Sequence, residues 1–118
     1  MYGLKQEIDL SFLRDKELIQ VCVGVYQLQF AFTESVNVSV EGRCEIQCDG
    51  GRALWEPKSL TGASAALRLL GAVVKEVHGS PDGTLTLDLI PDGRLIVFDN
   101  SREYESYTIT RPGETIVV

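Results

Sequence analysis

The clearest signal in the chain is strict alternation of apolar and polar positions. Leu85, Leu87 and Leu89 alternate with Thr84, Thr86 and Asp88, the period-2 pattern of a half-buried strand. Pro91-Asp92-Gly93 supplies a fixed φ followed by residues that tolerate turn conformations, and Leu95 and Val97 resume the alternation beyond it. This predicts a β-hairpin ending at the turn cluster Asp99-Asn100-Ser101. Leu28, Phe30 and Phe32 mark another strand, Thr33-Glu34-Ser35 a turn, and Val36, Val38 and Val40 a further strand face. Ile19, Val21, Val23 and Val25 share one face of a strand over 18–25. Cys44, Ile46 and Cys48 share a face of another, which ends at Asp49-Gly50-Gly51. Tyr107 to Thr110 and Thr115 to Val118 flank Arg111-Pro112-Gly113 as a last hairpin.

Helical periodicity occurs once. Leu60, Ala63, Leu67, Leu70 and Val74 recur at three- and four-residue spacings and predict a helix over 59–70. Ser59 or Thr61 is placed to cap it and Gly71 to end it, after which Val73 to Val77 lead into a strand. Arg52 to Lys58, with the single Trp and a Pro, reads as a connector. The expected class is therefore α+β: six to nine short, mainly antiparallel strands with one helix packed on the sheet, in one domain over 1–118. Leu28-x-Phe30-x-Phe32 and Val36-x-Val38 parallel Leu85-x-Leu87-x-Leu89 and Leu95-x-Val97. The pattern thus admits two pseudo-repeated units, about 18–48 and 73–110, bridged by the helix.

Length and composition narrow the function classes. A chain of 118 residues with 44% hydrophobic and 24% charged residues is ordinary for a soluble globular protein with one core. The net charge of −6 is spread over both halves, so no basic platform for nucleic acid exists. No apolar run has the length of a membrane span, and the N-terminal residues lack a signal-peptide core. Cys22, Cys44 and Cys48 are an odd set without a disulfide-framework spacing. Together these place the expected protein in the cytoplasm, away from membranes.

Candidate chemistry is sparse. His78 is the sole histidine and reads as a strand-end or surface residue rather than the base of a triad with Ser64 or Ser106. Cys44-x-x-x-Cys48 is wide for zinc, and buried thiols are the expected state. Asp88, Asp92, Asp99, Glu103 and Glu105 crowd one hairpin, but alternation turns Asp88 to solvent. Asp82-Gly83 and Asp92-Gly93 belong to no phosphate-binding pattern and read as turns. No catalytic, cofactor or metal residue is assigned. Arg102-Glu103-Tyr104-Glu105-Ser106-Tyr107 combines residue types favoured at interfaces. The candidate interaction surface comprises Arg94, Arg102, Tyr104, Glu105 and Tyr107, with Trp55 as an interface residue or a connector anchor. The plain alternative is a strand whose Tyr104 or Tyr107 covers the core edge while Glu105 pairs with Arg94 or Arg102.

A family resemblance rests on these same residues. Leu69-Leu70-Gly71-x-x-Val74, Gly83-x-Leu85-x-Leu87, Asp92-Gly93-x-Leu95-x-Val97 and Tyr104-Glu105-x-Tyr107 resemble a group of small bacterial proteins of unknown function. In that group the last aromatic is typically Trp, where this chain has Tyr107. The resemblance covers about residues 69–110. Such small acidic proteins are also similar to immunity proteins of bacterial toxin systems, which implies a binding role. The expected function is a non-catalytic protein-binding module, with a small-ligand or accessory domain as the alternative and a small hydrolase or isomerase behind both. Exposed edges at the end hairpin make a homodimer an expected state.

Overall fold

The computed structural model describes residues 9–58, 62–99 and 106–118. Ten strands are found there: β1 (Leu18–Val23), β2 (Leu28–Phe32), β3 (Val36–Val40), β4 (Arg43–Cys48), β5 (Gly51–Trp55), β6 (Val73–Gly79), β7 (Leu85–Ile90), β8 (Arg94–Phe98), β9 (Tyr107–Arg111) and β10 (Glu114–Val117). One short helix, α1 (Ala63–Ala66), runs into a 3-10 turn at Leu67–Leu69, and another 3-10 turn, Ser11–Leu13, precedes β1. The class is the expected α+β with antiparallel pairing throughout.

Ten strands exceed the expected six to nine because the presumed connector Arg52–Lys58 is largely strand. β5 pairs with β4 from Cys48↔Gly51 to Cys44↔Trp55. Asp49 and Gly50 both have positive φ (53° and 76°), the conformation of a two-residue type I′ turn. The Asp-Gly pair was thus a hairpin signal rather than a strand end.

Two five-stranded sheets share one hydrophobic core, in the orders β1-β2-β3-β9-β10 and β5-β4-β8-β7-β6. Each half of the chain makes a three-strand meander followed by a hairpin, and the hairpin joins the other half's sheet. β9 lies on β3 through Val38↔Ile109, while β4 lies on β8 through Ile46↔Leu95. The alternating residues read from sequence do fill the core, and Leu28, Phe30, Phe32, Leu85, Leu87 and Leu89 are all buried.

The halves meet at a reciprocal seam ahead of β1 and β6. Leu18 N–H donates to Ala72 O at 2.9 Å and Val74 N–H to Lys16 O at 2.9 Å. Gly71 N–H donates to Leu18 O and Asp15 N–H to Val74 O, both at 2.8 Å. Asp15 and Gly71 both take positive φ, and the 3-10 turns before them each bury one leucine, Leu13 and Leu69.

The helix departs from expectation. Its described α-helical part is four residues, Ala63–Ala66, and 59–61 lie outside the described residues. Leu67 and Leu70, expected inside, are exposed, whereas Ala63, Ala66 and Leu69 are buried. The buried period is three, as a 3-10 turn requires, and that shift rotates the inward face by one position. Gly62 seats this element on β5, since a Cβ there would run into the Leu54 carbonyl.

Candidate functional site

The two outer faces differ in kind. On the β5-β4-β8-β7-β6 sheet, pleating turns every second residue outward. Cross-strand register aligns Glu76, Asp88, Arg94, Gln47 and Arg52 in one rank. His78, Thr86, Ile96, Glu45 and Leu54 form the next rank, and Arg43 lies opposite Phe98 beyond it. On the other sheet the ranks are Gln20-Ala31-Asn37-Thr110-Thr115 and Cys22-Gln29-Ser39-Thr108-Val117. None of those ten side chains carries charge at neutral pH.

The charged face holds ion pairs of unequal commitment. Arg94 Nε sits 2.6 Å from Asp88 Oδ1, and His78 Nε2 lies 3.9 Å from Asp88 Oδ2. Arg43 pairs loosely with Glu56 at 3.7 Å. Arg52 makes no ion pair with a described residue, and beside it Leu54 is 39% exposed. An open depression of about 510 Å³ includes Arg52, Arg94, Gln47, Asp88 and Asp92 in its lining. Beside it Asp49 N–H donates to Asp92 Oδ2 at 2.7 Å, tying the β4–β5 turn to the β7–β8 turn.

A second polar cluster is buried instead. Ser106 Oγ donates to Asp99 Oδ1 at 2.8 Å, and the Tyr107 hydroxyl donates to Gly83 O at 2.6 Å. Glu41 and Gly42 N–H both donate to Ser106 O at 2.9 Å. Gly83 has φ +95°, and a Cβ there would collide with Asp99. Burial, reinforced by the Asp99 and Asp82 carboxylates, pushes the Tyr107 hydroxyl up. Asp82 is held below the usual carboxylate range by the Ser80 hydroxyl and the Thr84 N–H that donate to it. Ser106 and His78 thus have different carboxylate partners, Asp99 and Asp88, and His78 lies on the outer face while Ser106 is buried. The cluster ties the β6–β7 turn to the start of β9.

The expected surface residues scatter. Arg94 is exposed on the charged face. Trp55 and Tyr107 are fully buried, so their placement on an interaction surface is corrected. Trp55 faces the core as the last residue of β5, and Tyr107 does so as the first of β9, its hydroxyl satisfied internally. Arg102, Tyr104 and Glu105 lie outside the described residues. Arg52, Leu54 and Phe98 were missed, because Arg52 and Leu54 share a face only once β5 is recognised as a strand. Among the described residues, no group of three or more His, Cys, Asp or Glu is placed to hold a metal. None of the described helices is long and apolar enough to cross a membrane.

A family model matches residues 10–118, from the first 3-10 turn to the last strand. The chain belongs to DUF6188, a family of unknown function. No curated protein and no solved structure matches it. The DUF6188 match covers both meanders and both exchanged hairpins, so it takes in the whole two-sheet arrangement described above.

Proposed function

We propose that this DUF6188 chain is a non-catalytic protein-binding module that engages its partner through the outer face of the β5-β4-β8-β7-β6 sheet. The observation that carries this reading is the pairing of an uncommitted arginine, Arg52, with the exposed Leu54 on a rigid sheet face. Arginine with neighbouring apolar side chains is the composition of binding hot spots, and Ile96 and Phe98 of β8 add apolar area to the same face on the far side of Glu45 and Arg43. Arg52 and Arg94 flank Gln47 and suit a carboxylate on the partner. An immunity-type role is the finer form of this reading, and the net charge of −6 supports it by favouring encounter with a basic partner.

The test is capture from native-host lysate at low and high salt, with wild type and with Arg52→Glu and Leu54→Asp run side by side. One stoichiometric protein, released by salt and lost with both variants, is the expected result. A lane holding only the bait, or a partner retained equally by all three proteins, overturns the reading.

A second reading rests on a different feature. A depression of about 480 Å³ lies between α1 and the β4–β5 hairpin, with Ile46, Ala53 and Ala65 below and Arg52, Ser64 and Arg68 at its rim. It has the size of a small-ligand site. A metabolite that raises the melting temperature, and loses that effect in Ala65→Trp, would favour it.

A further inference from the structure

We propose that the chain self-associates by antiparallel pairing of β1 with β1 of a second copy, about a two-fold axis at Cys22. This goes beyond the partner-binding face above and uses the opposite sheet.

The hydrogen-bond phase of β1 sets the register. Gly24 N–H donates to Gln27 O at 2.8 Å, closing the β1–β2 turn. Counting back along this pairing, bonded residues alternate with unbonded ones, so Cys22 and Gln20 bond inward to β2. The N–H and C=O groups of Val21 and Val23 therefore point away from the sheet. Among the described residues no strand takes them up, because β1 ends the strand order. The edge is closed at both ends, by the seam at Leu18 and by Lys58 N–H, which donates to Val25 O at 2.8 Å. What stays open is the short stretch centred on Cys22.

That stretch is complementary to itself. In an antiparallel pair centred on Cys22, Val21 meets the second copy's Val23 and Val23 its Val21, which satisfies all the outward groups. Ile19, in the bulge, and Val25, just past the end of β1, flank that pairing on either side. Ile19, Val23 and Val25 are 56%, 47% and 59% exposed, so the pairing shields apolar side chains in and beside β1 that are otherwise left in water.

Charge selects a second copy as the occupant. A chain of net charge −6 repels its own copy except where a charge-free surface meets its like. β1 and the ten outward positions of its sheet are such a surface. The topological counterpart of β1 is guarded in the usual way: β6, also an edge, carries Lys75, Glu76 and His78, with Lys75 exposed. Each edge has a bulge near its start, between Leu18 and Gln20 in one and Val74 and Glu76 in the other. Lys75 occupies the bulge of β6, and exposed Ile19 that of β1. The contact is short, which puts the dimer among weak, concentration-dependent associations.

Cys22 supplies the test. It is a free, partly exposed thiol on the outward face. Opposed cysteines in a non-hydrogen-bonded antiparallel pair lie within disulfide reach. Diamide would take one hydrogen from each thiol and become the hydrazine, leaving one S–S bond between the copies. The experiment is sedimentation across a concentration series, with diamide cross-linking of parallel samples. Expected are a reversible monomer–dimer equilibrium and a covalent dimer that is lost in Cys22→Ser but kept in Cys48→Ser. Val23→Lys and Ile19→Lys, both at exposed positions, are expected to raise the dissociation constant about tenfold or more while leaving the circular dichroism unchanged. A monomer at every concentration overturns the proposal. So does a dimer that survives both lysine variants, or one that cross-links through Cys48.

Discussion

Cys44 shows how one buried side chain carries a pH dependence for the molecule. It is fully buried on β4, opposite Val97 of β8, and burial pushes its thiol up to about 12. The native state keeps this proton where an unfolded chain, with a thiol near 9.0, has lost it. The unfolded state then binds fewer protons, so stability declines from about pH 9 toward pH 12. Tyr107, raised by the same cause, acts in the same direction. Asp82 works on the acid side: its depressed value makes its contribution present above the ordinary carboxylate range and lost as pH falls through it. Urea midpoints at a series of pH values check both limbs, and Cys44→Ala is expected to flatten the alkaline one. A thiol reagent at pH 8 should label Cys22 and leave Cys44 unmodified until the protein unfolds.

Among the elements, the 3-10 and helical run before β6 is the most exacting. Gly62 has no room for a methyl group against the Leu54 carbonyl, so Gly62→Ala should push α1 off β5 and cost about 1–3 kcal/mol in urea unfolding. Gly71→Ala meets no neighbour within 4 Å, and its penalty is the positive φ alone, about 1–2 kcal/mol. If the two variants differ in effect on the fluorescence of the buried Trp55, only Gly62→Ala should move it.

Strands such as Leu28–Phe32 and Leu85–Ile90 were legible because alternation is a local pattern and both bury one face. The inward face of the helical run was not, since a three-residue period cannot be told from a four-residue one in a leucine-rich segment. β5 was hidden by Trp55 and Pro57, which read as connector residues until the Asp49-Gly50 turn is taken as a hairpin. Least legible was the site. Arg52 and Arg94 become neighbours across Gln47 only through the β4–β8 pairing, and nothing local in the sequence specifies that contact.

Across the whole molecule, the exchange of hairpins means that neither half encloses its own core. The first meander needs β9, and the second needs β4, so the pairs that complete each sheet are far apart in sequence. Residues 9–58 and 62–118 produced as separate chains should each lack a cooperative unfolding transition, and mixing them should restore it together with the near-ultraviolet dichroism of Trp55. Cooperative unfolding of either piece alone would contradict this. Closing such distant pairs also slows folding relative to proteins built from local contacts.

Synthesis on the ribosome sharpens the point. The β4–β5 hairpin is translated well before β8, so Cys44, Ile46 and Trp55 emerge before the sheet that the hairpin joins exists. Until the second half follows, the nascent chain presents an apolar hairpin face and an unprotected thiol to whatever else is in the cell. Chaperone capture at that stage, or stalling downstream of β5, would decide the yield of this protein more than the stability of its finished form.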